Sequence, residues 1–417
     1  MITINSFLST YLTIYLISSF IEITIDLINE THLRKYGRIV PDVFNEMIDE
    51  KKAREINDYT LDKSRLTLLR KIVGKTTFLI IILSGLLPWL SVMLYQYHFI
   101  LAGLIFFAIP GLLGTLVDLP FDYYHNFRIE EIYGFNTRTV KIWISDLFKS
   151  MLVAVILGAF LLSLLLIMIK YAGNAWWIWA WIIFFCFQIL MSILYPTVIA
   201  PLFNKFIPVE NNGLDLAIRE LSNREGLKVK GIFQMDAARR SRHTNAYFSG
   251  LGKSKRIVLY DTLLESHKDD EVLAVLAHEI GHLKKGHIKK QLFITSVASF
   301  ILFFLASRMI TWEFMYVSFG FSSIPMYVGL FLIAVIWEPV GFFLSPLAMA
   351  VSRRFEREAD HYAYRVLRTG RPLISALKKL ALDNLSNLRP HPVYVRFNYS
   401  HPPLLERIEI LEKMADQ

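Results

Sequence analysis

One cysteine, Cys186, stands among 417 residues, so neither a disulfide framework nor a thiolate metal site is possible. Charge is scarce too. Asp, Glu, Lys and Arg make up 19% of the chain against 54% apolar residues, which excludes an ordinary soluble protein of this length. No internal repeat, low-complexity tract or long flexible linker divides the sequence. No nucleic-acid-binding motif accompanies the net charge of +9. The first apolar run lacks a basic leader and a small-residue cleavage site, and it carries Glu22 and Asp26. It reads as a mature helix rather than a secretory signal, with two acids that need partners or water.

Long apolar runs are what the sequence does have. Seven stretches of roughly 18 or more residues qualify as membrane spans: 6–29, 76–95, 99–117, 151–169, 176–194, 292–309 and 327–349. Eleven Lys and Arg residues fall between Arg34 and Lys75, and the segments after spans three, five and seven are also basic. The alternate connections are short and nearly neutral. By the positive-inside rule the C-terminus and the stretch around LAHEIGHLKKG are cytosolic. The excess positive charge therefore reads as topology and lipid-headgroup contact. Glu338, in the last span, is an intramembrane acid that implies an aqueous cavity or a buried partner.

HEIGH, at 278–282, fits the H-E-x-x-H pattern, which puts two imidazoles on one helix face for a single metal. With 11 histidines in the chain, a chance match has a probability on the order of one in a hundred, so context must decide. The surrounding DDEVLAVLAHEIGHLKKGH is amphipathic, acidic at its start and basic at its end, as a cytosolic or membrane-surface helix should be. His278 and His282 are then candidate zinc ligands and Glu279 the general base toward a zinc-activated water. A third ligand is sought in SRRFEREADHYAYRVL, which continues the last span as a helix. Glu356 and Asp360 lie one turn apart there, the first a candidate ligand and the second placed to orient a ligand histidine. Glu358 points away from that line and reads as a solvated or ion-paired acid. His287 is judged to lie off the face of His282, so a closed four-ligand structural site in a transporter or scaffold is disfavoured. RIVLYDTLL and NAYFSG read as short strands around a Gly252–Ser254 turn, with an edge able to hold an extended peptide.

Several blocks together resemble the CAAX prenyl endopeptidases, integral-membrane zinc metallopeptidases. These are KAREINDYTLDKSRL, LPFDYYHNFRIEEIYGFNTRT, LYPTVIAPLFNKFIPVE, HTNAYFSG, HEIGH, SRRFEREAD and NYSHPPLLERI, in order along nearly the whole chain. The resemblance implies that His278, His282 and Glu356 hold one catalytic zinc ion, that Glu279 is the catalytic glutamate, and that Asp360 is the acid after the third ligand. Asn245 and His401 match polar residues that the family places near the scissile peptide. Arg407 is open between an ordinary helix cation and a group that supports substrate or the third-ligand helix.

The expected architecture is an all-α multi-pass membrane protein whose seven helices enclose a chamber, with a cytosolic zinc-peptidase unit carrying a small β-hairpin or sheet. Helices one to five and their loops occupy 1–200, the HEIGH segment 201–290, helices six and seven 291–349, and the third-ligand segment 350–417. The expected partners are the bilayer and a peptide or protein substrate, prenylated or otherwise membrane-associated, with no nucleic acid. A general membrane quality-control metalloprotease is the alternative. The chain length and the ending MADQ favour a bacterial cytoplasmic membrane over the endoplasmic reticulum.

Overall fold

The structure, a computed structural model, describes residues 2, 4–209, 212–227, 231–249 and 256–415. Its long apolar runs are helical because lipid offers the backbone no hydrogen-bond partners and a helix satisfies its amides internally. Helix α1 (Ser6–Tyr36) starts at Asn5, whose side chain accepts from the Leu8 amide at 3.0 Å. Helix α2 (Glu50–Leu83) starts at Asp49, which accepts from the Lys52 amide at 2.7 Å. The expected span over 76–95 is broken: Gly85, at φ 81, separates α2 from α3 (Leu86–Leu94). Glycine pays no Cβ penalty in that left-handed conformation.

Helices α4 (Phe99–Tyr124), α5 (Val140–Tyr171) and α6 (Trp176–Leu194) complete the first membrane half. The peptidase half holds α7 (Asn212–Arg224), α8 (Asp269–Lys284), α9 (His287–Met309), α10 (Met326–Leu367), α11 (Arg371–Asp383), α12 (Pro392–Asn398) and α13 (Leu404–Ala415). Among the described residues six helices are long and apolar enough to cross a membrane, or seven if α2 and α3, bent by 52°, form one span. Tyr15, Phe106, Leu166, Tyr316 and Leu332 lie in the core that joins them. The intramembrane acids are paired. Lys71 meets Glu22 at 3.0 Å and Asp26 at 2.5 Å, while Lys75 meets Glu22 at 3.0 Å and Glu338 at 3.3 Å. These contacts tie α1, α2 and α10 together, as charges in a low-dielectric setting require.

The sheet has four short strands: β1 (Phe206–Pro208), β2 (Gly231–Met235), β3 (Ala246–Ser249) and β4 (Arg256–Tyr260), in the order β1-β2-β4-β3. Strands β3 and β4 pair antiparallel, as the hairpin expectation required; the expected Gly252–Ser254 turn lies outside the described residues. Strands β2 and β4 run parallel. Strand β3 is an edge of the sheet, next to α8. The buried Ile257 and Leu259 of β4 pack with Val272 and Leu276 of α8, which fixes the HEIGH helix on the sheet.

Helix α10 spans 42 residues. At 1.5 Å per residue that is about 63 Å, twice the roughly 30 Å of a bilayer's hydrocarbon, so the helix that crosses the membrane also projects beyond it. Glu356 and Asp360 sit on the projecting part.

Candidate metal centre

Two helices build the centre. The buried Glu271 anchors the start of α8: it accepts from the Lys268 amide at 2.8 Å, from Ser375 Oγ at 2.6 Å and from Lys379 Nζ at 2.7 Å. Its carboxyl is held below the ordinary value of 4.5, because these partners outweigh the burial that would raise it. Gly281, inside HEIGH, lets α10 approach. A Cβ there would lie 2.9 Å from Ala359 Cα and 3.0 Å from the Ala359 carbonyl oxygen. No other side chain permits so close a crossing, and the crossing sets Glu356 opposite the two histidines.

The three expected ligands converge. Nε2 of His278 and Nε2 of His282 are 3.2 Å apart, and each lies 3.3 Å from a Glu356 oxygen, Oε2 and Oε1 respectively. Metal bonds of about 2.0–2.1 Å at tetrahedral angles put neighbouring ligand atoms roughly 3.3–3.4 Å apart, so these separations fit one ion. Glu356 Oε2 is buried and has no hydrogen-bond partner, although His278 Nε2 is 3.3 Å away. The approach lacks hydrogen-bond direction, as lone pairs converging on a common centre do. His278, His282 and Glu356 are the metal-capable cluster among the described residues. His401 Nε2 reaches Glu356 Oε1 at 3.4 Å but does not join that cluster.

Each imidazole is oriented from behind. His278 Nδ1 bonds Asp360 Oδ1 at 2.7 Å, and Arg407 grips Asp360 through Nε to Oδ2 at 2.8 Å and Nη2 to Oδ1 at 2.6 Å. Of the two roles open to Arg407, the geometry gives support of the α10 acid. Burial disfavours a charged His278, but Asp360 and Glu356 outweigh it and push the ring's pKa up to about 9. The Nδ1 contact leaves Nε2 for the cluster.

The second relay corrects the sequence reading. His287 was expected off the face of His282, yet its Nδ1 lies 2.9 Å from His282 Nδ1, and its Nε2 meets Glu358 at 3.1 Å. Helical spacing does not apply between them. Helix α8 ends at Lys284, Gly286 takes φ 67, and α9 begins at His287 on a new axis, which swings that ring back under His282. Glu358 is ion-paired as expected, with Lys290 at 3.2 Å and Arg354 at 3.1 Å. Its further role toward His287 had no signal in the spacing.

Glu279 accepts from the Phe248 backbone amide on β3, and burial raises its carboxyl above 4.5. A base with a raised pKa beside a metal is matched to taking a proton near neutral pH. His401 is exposed and receives orientation from Ser400 Oγ at 2.9 Å. Its loop is held by Arg353, which donates to the Val395 and Tyr399 carbonyls at 3.0 and 2.8 Å. Asn245 lies at the head of β3 with its Oδ1 accepting from the Ala246 amide at 2.8 Å, and the structure gives it no bond to the three-ligand cluster. The loop before it is fixed by His243, stacked on Phe135 at 4.1 Å and bonded to Glu130 at 3.0 Å and Asn384 at 2.9 Å.

Comparison with known proteins follows these contours. Residues 29–205 match the CAAX prenyl protease N-terminal family, described as five membrane helices, and residues 208–415 match peptidase family M48. The chain is 33% identical to CAAX prenyl protease 1 of Saccharomyces cerevisiae, with 92% of each covered. It is 32% identical to the CAAX prenyl protease 1 homolog of Homo sapiens, covering 90% of this chain and 89% of that one. The crystal structure of S. mikatae Ste24p superposes with a TM-score of 0.92 at 31% identity, covering 98% of this chain and 100% of that chain. These relatives are eukaryotic and lend the expected bacterial placement no support. An all-α membrane bundle with a small sheet, a two-histidine, one-carboxylate cluster and these matches make the chain a membrane metalloendopeptidase that belongs to peptidase family M48.

Proposed function

We propose that this metalloendopeptidase uses one zinc ion, held by His278, His282 and Glu356, to cut membrane-associated or C-terminally prenylated CAAX-type chains on the cytosolic side of its membrane. The observation that carries the proposal is the set of 3.2 and 3.3 Å separations among the three ligand atoms. Two imidazoles and one carboxylate with an open vertex suit zinc. Bound there, zinc supplies the Lewis acidity that brings a water's pKa from near 16 to roughly 7.

The chain's own groups do the rest. Glu279 takes the proton of the attacking water and returns it to the leaving amine. His401, on the open side of Glu356, donates to the carbonyl oxygen as it becomes tetrahedral. Strand β3 holds the substrate along its free edge by main-chain hydrogen bonds, and Asn245 at its head positions the substrate backbone. Asp360 with Arg407, and His287 with Glu358, keep each ring in the tautomer that presents Nε2.

A lipidated substrate is supported by an apolar cavity of about 940 Å³ among the membrane helices, lined by residues such as Phe107, Met151, Leu162, Phe184 and Trp337. The relatives are named as CAAX prenyl proteases, and an apolar cavity of this size suits a prenyl chain. The test is cleavage of a farnesylated peptide and its unmodified twin by purified protein, with and without chelator. Preference for the lipidated peptide, lost with chelator, is expected; equal cutting of both would favour a general protease instead. Glu279→Gln should keep its metal and lose turnover by at least about 100-fold.

A further inference from the structure

A second cavity, of about 610 Å³, adjoins the metal centre through His401, whose Nε2 lies 3.4 Å from Glu356 Oε1, and has no role in the steps above. His401 forms part of its wall, and Lys63, Ser64, Asn384, Ser386 and Asn387 form others. One lysine and two histidines line it, and no Asp or Glu does. With Lys63 as the one permanently charged side chain on its walls, the pocket favours an anion.

Lys63 is the strongest charge in it. The side chain is half-buried, its Nζ donates to Tyr59 Oη at 3.1 Å, and the ammonium lies 4.6 Å from the centre of the Tyr59 ring. Among the described residues no carboxylate lies within ion-pair distance of it. Glu130, behind Tyr59, is engaged elsewhere: it accepts from the Tyr59 hydroxyl at 2.6 Å and pairs with His243 at 3.0 Å. An ammonium has three donors, and Tyr59 takes one. The other two have no partner among the described residues.

We propose that this cavity binds the free α-carboxylate at the substrate's C-terminus, with Lys63 as its counter-ion. The proposal rests on the peptidase reading above and adds to it a requirement on the chain end. One wall is His401, the proposed oxyanion donor, so the cavity lies beside the place where the peptide bond would be cut and is assigned to the substrate's C-terminal side. Treated as a sphere, the cavity is roughly 10 Å across, the reach of about three extended residues. The amides of Asn384 and Asn387 and the hydroxyls of Ser64 and Ser386 offer further donors to the peptide's carbonyls and terminal oxygens.

The test compares two peptides identical except for a C-terminal carboxylate or a C-terminal amide. A charge-assisted bond from Lys63 to the carboxylate should give the acid a kcat/KM about 10- to 100-fold above the amide. In Lys63→Met the ratio should fall to within about threefold of one, and in Lys63→Arg most of it should return. Binding of the same two peptides to Glu279→Gln protein, followed by fluorescence anisotropy, should show the same preference without turnover. Equal cutting and equal binding of acid and amide by the unmutated pocket would overturn the proposal, and so would a full preference in folded Lys63→Met. If neither peptide were cut, the substrate reading would fall, and the binding arm would still decide on Lys63.

Discussion

Gly281→Ala isolates the contact on which the metal centre depends. The added methyl would sit 2.9 Å from Ala359 Cα, 3.0 Å from the Ala359 oxygen and 3.1 Å from Tyr362 Cβ. Carbon atoms rest about 3.5–4.0 Å apart, so α8 and α10 must separate by roughly 0.6–1 Å. Metal bonds tolerate only about 0.2 Å, and the shift carries Glu356 on α10 away from both histidines on α8. Two effects on folding oppose one another. Alanine gains about 1 kcal/mol over glycine inside a helix, while overpacking costs about 1–3 kcal/mol. We therefore expect the metal-free protein to unfold within a few degrees of the parent, while zinc affinity falls by at least 10- to 100-fold. Competition against a chromophoric chelator measures the second quantity and thermal unfolding in detergent the first. Gly341→Ala, on the same long helix with nothing within 4 Å of its added methyl, is the matched control. Wild-type zinc affinity in Gly281→Ala, together with the full stability gain of alanine, would refute the argument that a glycine-wide crossing assembles the site.

Asp360→Asn and His287→Ala each remove the group behind one ligand ring, and each should weaken zinc binding about 10- to 100-fold, measured by the same chelator competition. Asp360→Asn should be the worse, because it also leaves the largely buried Arg407 without a charged partner; equal affinities in parent and both variants would sink the relay assignment. Glu271→Gln should lower stability by about 1.5–3 kcal/mol near neutral pH by weakening three hydrogen bonds to a charged acceptor. The folded carboxyl of Glu271 lies below 4.5, so its contribution is present above that pH and is lost as pH falls through the depressed value. Urea unfolding of parent and variant should thus differ at pH 7 and converge in acid; a gap that persists or widens in acid would contradict this.

What the sequence made legible follows a physical rule. HEIGH and the Glu356–Asp360 pair were readable because each lies inside one uninterrupted helix, where spacing fixes direction. His287 was misjudged because the same spacing argument was carried across a helix end. The KKG at 284–286 marked that end, with a left-handed glycine closing one axis and opening another. Gly281 carried its meaning only once a second helix was set against it, since a close crossing belongs to two segments. Strands β1 and β2 were missed because three and five residues without clear alternation give no period to detect. Likewise the partners of Glu22, Asp26 and Glu338 were required by burial, but Lys71 and Lys75 could be named only from the packed bundle.

The metal centre is not a soluble peptidase hung beside a membrane. Its third ligand rides on a helix whose other half carries Glu338, and Glu338 is tied through Lys75 to Glu22 on α1. Strand β3 follows a loop that His243 fastens to Glu130 of the membrane half, and Arg240 of the same region grips Asp146 on α5 at 2.8 and 3.0 Å. Helix α8, which carries the ligand pair, packs on the sheet through Val272 and Leu276 and on the end of α10 through Ala277 and Ile280. The centre is therefore assembled between a helix anchored in the bilayer and a helix folded on the sheet, and the membrane-spanning sequence fixes the position of a ligand. A consequence is that the ion and the membrane bundle stabilise each other, since metal held across two helices resists their separation.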